Sequence, residues 1–286
     1  LEDHLSRLDA GSQNIASASK RAKNLVKRLL VDAVPIPVPS HWKCPKVKDV
    51  GRVDLGRQRH PDWHTGENMR PYLRVANVFE DYIDLSDVME MDFPPEVFEK
   101  YRLVEGDILL NEGQSPEYLG RPAMYRGHPK DIAFTNSLLR FRAGPEVDPE
   151  WALLVFRRHM HAGRFMREVR ITTNIAHLSA GRFKEVEFPL PPLPEQKRIV
   201  SETKDRLAEI ARLSSAIDRT KGKLHVLRQS LFTDAFCGHL VPQDPNDEPA
   251  SVLLERIRAE RAAQGKPKRA RRSTAKTPKT TTSAAQ

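Results

Sequence analysis

Side chains able to serve as nucleophile, general base or metal ligand occur in this chain, but their spacing does not gather them. His60, His64, His128, His159, His161 and His177 show no HExxH pairing, the arrangement that sets two imidazoles on one helix face with a glutamate as base. His159 and His161 lie two apart on a predicted helix and so point to different faces. Asp62 and Glu202 are far apart in sequence, whereas metal-assisted phosphodiester cleavage needs carboxylates gathered around an ion. No GxxxxGK[ST] loop is present to cradle nucleotide phosphates, and no glycine-rich cofactor loop follows a strand. An Asn-Pro-Pro-Tyr or Pro-Cys loop, which would hold an extruded base, is also missing; the nearest pair, Pro71-Tyr72, follows Arg70. Cys44 and Cys237 have neither metal nor disulfide spacing and read as free thiols in a reducing cytoplasm. The expectation is a noncatalytic chain with no metal and no cofactor of its own.

The elements that would position anything else are dominated by a helix that occurs twice. Residues 1–33 align with residues 203–235 at a constant offset of 202, with Leu8 on Ile210, Ile15 on Ile217, Leu25 on Leu227, Leu29 on Leu231 and Asp32-Ala33 on Asp234-Ala235. In the first copy Leu8, Ile15, Ala22 and Leu29 form one row, and Gly11, Ala18 and Leu25 the other. The second copy carries Ile210, Ile217, Leu224 and Leu231, with Leu213 and Leu227. A 3.5-residue repeat keeps a narrow seam on one side. With strongly polar outer faces, helix-on-helix packing is favoured over two amphipathic helices laid separately on a core.

Between the copies the sequence is mixed. Pro35, Pro37 and Pro39 cannot continue a helix and form a stiff, extended exit. Strand-like runs follow at Tyr72–Phe79, Asp107–Leu110, Pro122–Tyr125 and Ala133–Arg142, and Trp151–Met166 reads as a helix. Pro194 and Glu195 suit the start of the second long helix, and Gly238 its end. The predicted fold class is α+β: one mixed domain flanked by two long helices that form an antiparallel coiled coil. The expected boundaries are 1–34 for the first helix, 35–190 for the domain, 191–238 for the second helix, 239–263 for an extension with a short helix, and 264–286 for a basic disordered tail.

The formal net charge is +9, but the stretch after residue 263 holds seven Lys and Arg and no acid, so +9 − 7 leaves +2 for the rest. Any basic face on the body must therefore be local. The tail is open to two readings, nonspecific contact with nucleic acid or a solubilising segment. No apolar run approaches the roughly 18 residues of a membrane span, and a cytoplasmic location is expected.

The run Phe188-Pro189-Leu190-Pro191-Pro192-Leu193-Pro194-Glu195-Gln196-Lys197-Arg198-Ile199-Val200 resembles the junction between target-recognition domain and conserved helix in specificity subunits of type I restriction–modification systems. Four further stretches agree: Pro71–Val78, Asn111–Ser115 with Gly120–Ala123, Thr172–Leu178, and Leu240–Pro245 with Leu253–Ile257. Members with two recognition domains alternate them with two conserved helices. This chain shows helix, domain, helix, which the resemblance renders as the C-terminal half of such a subunit or, alternatively, as a half-size subunit acting as a homodimer.

The resemblance implies that the chain binds double-stranded DNA and reads half of a split target. It also implies methyltransferase (modification) subunits that use S-adenosylmethionine, and restriction/translocase subunits that use ATP and Mg2+, as partners. Base reading needs side chains with paired donors and acceptors. The candidates are Arg57, Gln58, Arg59, Arg70, Arg74, Asn77, Gln114, Ser115, Arg121, Thr172, Thr173 and Asn174. Trp63, Tyr72 and Trp151 are expected in the core. The seam is assigned to Leu8, Ile15, Leu25, Leu29, Ile210, Ile217, Leu224, Leu227 and Leu231. A reading of a different class is a coiled-coil scaffold that binds only protein.

Overall fold

The computed structural model describes residues 2–169, 176–240 and 248–263. It divides into a body covering Asp3–Val226 and a second unit from Leu227 onward, which takes in Leu1–Glu2. In chain order the body holds α1 (Glu2–Ala33), α2 (Val47–Val50), β1 (Gly51–Leu55), β2 (Met69–Leu73), β3 (Val78–Phe79), β4 (Tyr82–Ile83), β5 (Met89–Asp92) and α3 (Pro95–Tyr101). There follow β6 (Ile108–Asn111), β7 (Gly113–Gln114), β8 (Pro122–Met124), β9 (Ala133–Phe134), β10 (Leu138–Ala143), α4 (Pro149–His161), β11 (Ala176–His177), α5 (Ala180–Lys184) and α6 (Leu193–Phe236). The end of α6 and α7 (Ala250–Ala263) belong to the second unit. No described helix is long and apolar enough to cross a membrane.

The centre is a four-stranded sheet in the order β1-β10-β6-β8, antiparallel throughout. Both faces are covered, which is why Ile108-Leu109-Leu110 is apolar without alternation. Ile108, Leu110, Leu139 and Phe141 join α4 in the main core, while Leu109 and Leu138 join Leu73, Val78 and Phe134 in a second one. A three-stranded sheet, β5-β2-β9, carries a parallel β2–β9 pair. On β10, Arg140 is 1% exposed and stands opposite Asp54 of β1, donating to its carboxylate at 2.6 Å. Asp107, fully buried, accepts two hydrogen bonds from Arg142 at 2.7 and 2.8 Å.

The chain's entry into this domain pairs with its exit. Lys43 and Leu190 exchange backbone hydrogen bonds at 3.1 and 2.9 Å, Phe188 donates to Pro45 at 2.7 Å, and Val47 donates to Val186 at 2.9 Å. Trp151 of α4 locks the same place: its indole N–H donates to the Pro189 carbonyl at 2.9 Å, and its ring meets Trp42 edge-on at 5.6 Å. The helices that lead in and out therefore start side by side. Leu29 and Ala33 of α1 line a groove with Ile199 and Thr203 of α6. Further along, a Cβ at Gly11 would lie 3.6 Å from Leu224. Residue numbers fall on one helix as they rise on the other, so the pair is antiparallel.

Along this seam Leu8, Ile15, Leu29, Ile217 and Leu224 are half-buried, and Ala22 and Ile210 are buried. Leu25 lies off it at 48% exposed, and Leu213 at 54%. Val26 takes the inner position instead, because α1 here packs on the main core as well as on α6, through Leu30 and, just past its end, Val34, both fully buried. A spacing of four then four replaces three then four, and the stripe slips by one residue. Leu227, 57% exposed, and Leu231, half-buried, lie in the second unit.

Two predictions arise from this packing. Gln196, fully buried, accepts from Asp148 N–H at 2.9 Å and donates to the Glu146 and Pro191 carbonyls at 2.9 and 2.8 Å. Gln196→Ala strands three polar groups and should cost about 2–4 kcal/mol in denaturant unfolding; a loss within error would show that the amide does not hold α6 to the domain. His159 is buried at the end of α4, where desolvation pushes its pKa down to about 4 against a backbone bond to Glu187 that favours the charged form. The folded state holds it neutral, so its contribution is complete above pH 6.5 and is lost as pH falls toward 4. That contribution is about 3 kcal/mol. The stability difference between wild type and His159→Gln should shrink across that window, and a constant difference would contradict this.

Candidate nucleic-acid interface

Several strands end at one edge of the domain, and their loops are tied together there. After β1 the chain crosses the β9–β10 connection so closely that a Cβ at Gly56 would lie 2.2 Å from the Thr135 carbonyl oxygen; only glycine fits. Arg57 N–H donates to Phe134 O at 3.1 Å, and Asn136 N–H donates back to Arg57 O at 2.9 Å. From the end of β2, Leu73 O accepts from Thr135 N–H at 3.0 Å and from the Thr135 hydroxyl at 3.2 Å. Val75 N–H donates to the Ser137 hydroxyl at 3.1 Å. Beyond β6, Glu112 N–H donates to Ser137 O at 3.0 Å, and Leu178 N–H donates to Glu112 O at 2.7 Å. Gln114 of β7 then pairs with Ala176 of β11. Thr135-Asn136-Ser137 is thus the junction at which four chain segments meet as one rim.

On this rim Gln58 and Arg59 are exposed, and Gln114 and Ser115 are half-buried. The Gln114 side-chain oxygen accepts from Ser115 N–H at 3.1 Å. Arg57 turns inward: it is 7% exposed, lies 3.9 Å from the Trp63 ring centroid and 4.7 Å from that of Phe93, and donates to the Asp92 carbonyl. Burial holds its guanidinium below the usual range. Asn77 is 2% exposed and its amide is consumed locally, accepting from Arg74 N–H at 3.0 Å and donating to the Asp84 and Asp87 carbonyls at 3.0 and 2.9 Å. Arg74 is ion-paired to Asp87. These three support the loops, and a base edge would have to displace their existing partners. Arg70 lies at the opposite end of β2 over Phe98, at 5.4 Å. Thr172, Thr173 and Asn174 fall outside the described residues.

Donor and acceptor type alone did not single out Asn136. Its neighbours' hydroxyls are spent on Leu73 and Val75, while its half-buried amide makes no hydrogen bond among the described residues. The signal was available: three polar residues interrupt the apolar run Ala133–Arg142.

Beside the rim, the β3–β4 hairpin is pinned by charge. Arg157 of α4 binds Glu80 at 2.8 Å and Asp81 at 3.1 Å, and His161 binds Glu80 at 2.9 Å. Burial raises the Asp81 pKa against Arg157 and Arg126; at Glu80 burial acts the same way, but His161 and Arg157 outweigh it and hold the carboxyl low. Arg126 and Lys204 of α6 both reach Glu150, at 2.6 and 3.0 Å. Among the described residues no group of three His, Cys, Asp or Glu could hold a metal ion.

Residues 39–213 match the family model of the type I restriction modification DNA specificity domain. The chain is 26% identical over 207 residues to the putative type I restriction enzyme MjaX specificity subunit of Methanocaldococcus jannaschii, which covers 71% of this chain and 48% of that one. It is also 26% identical over 212 residues to the type I restriction enzyme EcoKI specificity subunit of Escherichia coli K12, covering 71% and 46%. The chain spans about half the length of these curated relatives. In fold it is similar to a chain from a structure of a type I R-M system, with a TM-score of 0.65 and 19% identity over 84% of this chain and 57% of the other. The HsdS subunit from Thermoanaerobacter tengcongensis gives a TM-score of 0.55 and 21% identity over 84% and 56%. With the family model spanning nearly the whole domain and almost half of α6, the chain belongs to the type I restriction modification DNA specificity family.

Proposed function

We propose that this chain is the noncatalytic DNA-reading part of a type I restriction–modification complex, and that it reads one half of a bipartite target on duplex DNA. The observation that carries this is the rim. Four chain segments are hydrogen-bonded into one edge, which presents Gln58, Arg59, Gln114 and Asn136 while its remaining polar groups hold it rigid. Amide and guanidinium groups match adenine and guanine edges in the major groove, and a locked backbone limits the ordering that binding would otherwise require. The antiparallel helix pair suits a spacer, since split targets demand a fixed distance between readers. Methyltransferase (modification) subunits that bind S-adenosylmethionine, and restriction/translocase subunits that use ATP and Mg2+, are the partners this reading implies. All would work in the cytoplasm.

Exchanging residues 40–188 for the domain of another family member should change which half-site the complex methylates, with activity retained; methylome sequencing reads the outcome. An unaltered target after a functional exchange would remove reading from this domain. Asn136→Ala should relax selectivity at one base pair by about 1–3 kcal/mol with an unchanged melting temperature. Uniform weakening on every duplex would assign Asn136 to backbone contact instead.

A further inference from the structure

We propose that Arg121 is a phosphate clamp: a guanidinium sandwiched between Phe79 and Tyr118 that binds one backbone phosphate of the duplex and adds affinity without reading sequence. This rests on the DNA-reading function above and moves Arg121 from the base-reading candidates to a backbone contact. The guanidinium carbon lies 4.7 Å from the Phe79 ring centroid and 5.2 Å from that of Tyr118. Both rings are largely exposed, at 40% and 46%. The backbone beneath is fixed. Arg121 N–H donates to Tyr118 O at 3.0 Å, and its carbonyl accepts from Asn111 N–H at 3.3 Å. Gly120 sits at φ +67°, where a Cβ would also meet the Phe165 ring at 2.5 Å.

The side chain is half-buried, yet no hydrogen bond or ion pair reaches it among the described residues, and its Nε is buried without a partner. Every other half-buried arginine described has an acceptor: Arg74, Arg102, Arg142, Arg157 and Arg164 have carboxylates, and Arg158 has the Val34 carbonyl. Glu80, the nearby acid, is already held by Arg157 and His161. Partial burial without a counter-ion is unfavourable for a cation, so an arriving anion is bound at a reduced desolvation penalty.

Geometry selects the anion. A guanidinium clasped by two rings cannot extend to base edges in a groove some 8.5 Å deep, whereas phosphates line the outer edge of the duplex. Its planar fork matches two phosphate oxygens. The aromatic faces are occupied by the guanidinium, which leaves them poorly placed to stack an unpaired base. The site is continuous with the rim: Phe79 closely follows the turn Val75–Asn77, and Tyr118 lies three residues past Ser115. DNA seated on the rim brings its backbone to this point, which favours phosphate over a carboxylate of a protein partner.

The test uses the full-length protein in its native complex, with the cognate duplex taken from the host's methylated sites and a scrambled duplex beside it, each titrated across a salt series. Arg121→Gln should weaken both duplexes by the same factor, about tenfold, and reduce the slope of log affinity against log salt by about one. Arg121→Lys should keep the slope and recover part of the affinity. Phe79→Ala should keep the slope and lose affinity on both. A loss confined to the cognate duplex would make Arg121 a base reader and overturn the clamp. Unchanged DNA binding, with or without release of a partner subunit, would overturn it too. A wild-type complex that binds neither duplex would sink the DNA-reading function and the clamp with it, an outcome distinct from the rest.

Discussion

Everything this molecule can do at a distance depends on the short antiparallel pairing of Lys43–Val47 with Val186–Leu190. A helix of about thirty residues with a narrow apolar stripe holds itself in place weakly, since most helix stability in proteins comes from packing. The seam between α1 and α6 is mostly half-buried and includes small residues such as Gly11 and Ala18. Four backbone hydrogen bonds at the domain's neck remove the freedom the two helices would otherwise have to splay. Trp151 and Gln196 then fix the angle at which α6 leaves: one binds the Pro189 carbonyl, the other bridges the start of the helix to the cap of α4. Register far from the domain, where Gly11 faces Leu224, is inherited from the neck.

The same logic governs the rim. A sheet buried on both faces has strong register, because a slip by one residue exchanges the two cores. Arg140 sharpens this. It can meet Asp54 only in the observed β1–β10 pairing, and an uncompensated charge at 1% exposure would be costly. Buried ion pairs often add little net stability, and here their consequence is specificity of alignment. With register set, β1, β2 and β6 end together, and the Thr135–Ser137 connection can bond to all three exits.

The parts that could be read from the sequence were those governed by local periodicity. The heptad rows located both helices and much of their contacting face, because a repeat of 3.5 constrains geometry wherever the helix lies. It failed at Leu25, where the domain core joins α6 as a partner of α1 and the spacing changes with it. Strand runs were found but merged. Tyr72–Phe79 breaks at Arg74 because Asn77 folds back to cap it, and Ala133–Arg142 breaks at Thr135–Ser137 because two hydroxyls there serve other loops. The recognition candidates suffered most. Arg57 and Asn77 have the donors that base reading needs, but their partners include Asp92 and Asp87, well removed in sequence. No pattern of residue types reveals such bonds in advance. Gln196 appeared only as one letter of a motif, although its amide makes three buried hydrogen bonds.

The proposed spacer role requires that the domain not swing on its helix, and the structure supplies a second tie between the two. From Asp81 of the β3–β4 hairpin, which Arg157 of α4 also binds, ion pairs run through Arg126 to Glu150, and from Glu150 to Lys204 on α6. Individually such pairs at partly exposed sites contribute little, about 0–1 kcal/mol. Their value lies in position: they join the helix at Lys204, one turn beyond Val200 and two turns beyond Gln196. Two attachments at separate points resist rotation where one would act as a hinge. The hairpin they anchor is the one that carries Phe79, so the tie that steadies the domain on its helix also steadies the edge beside the rim.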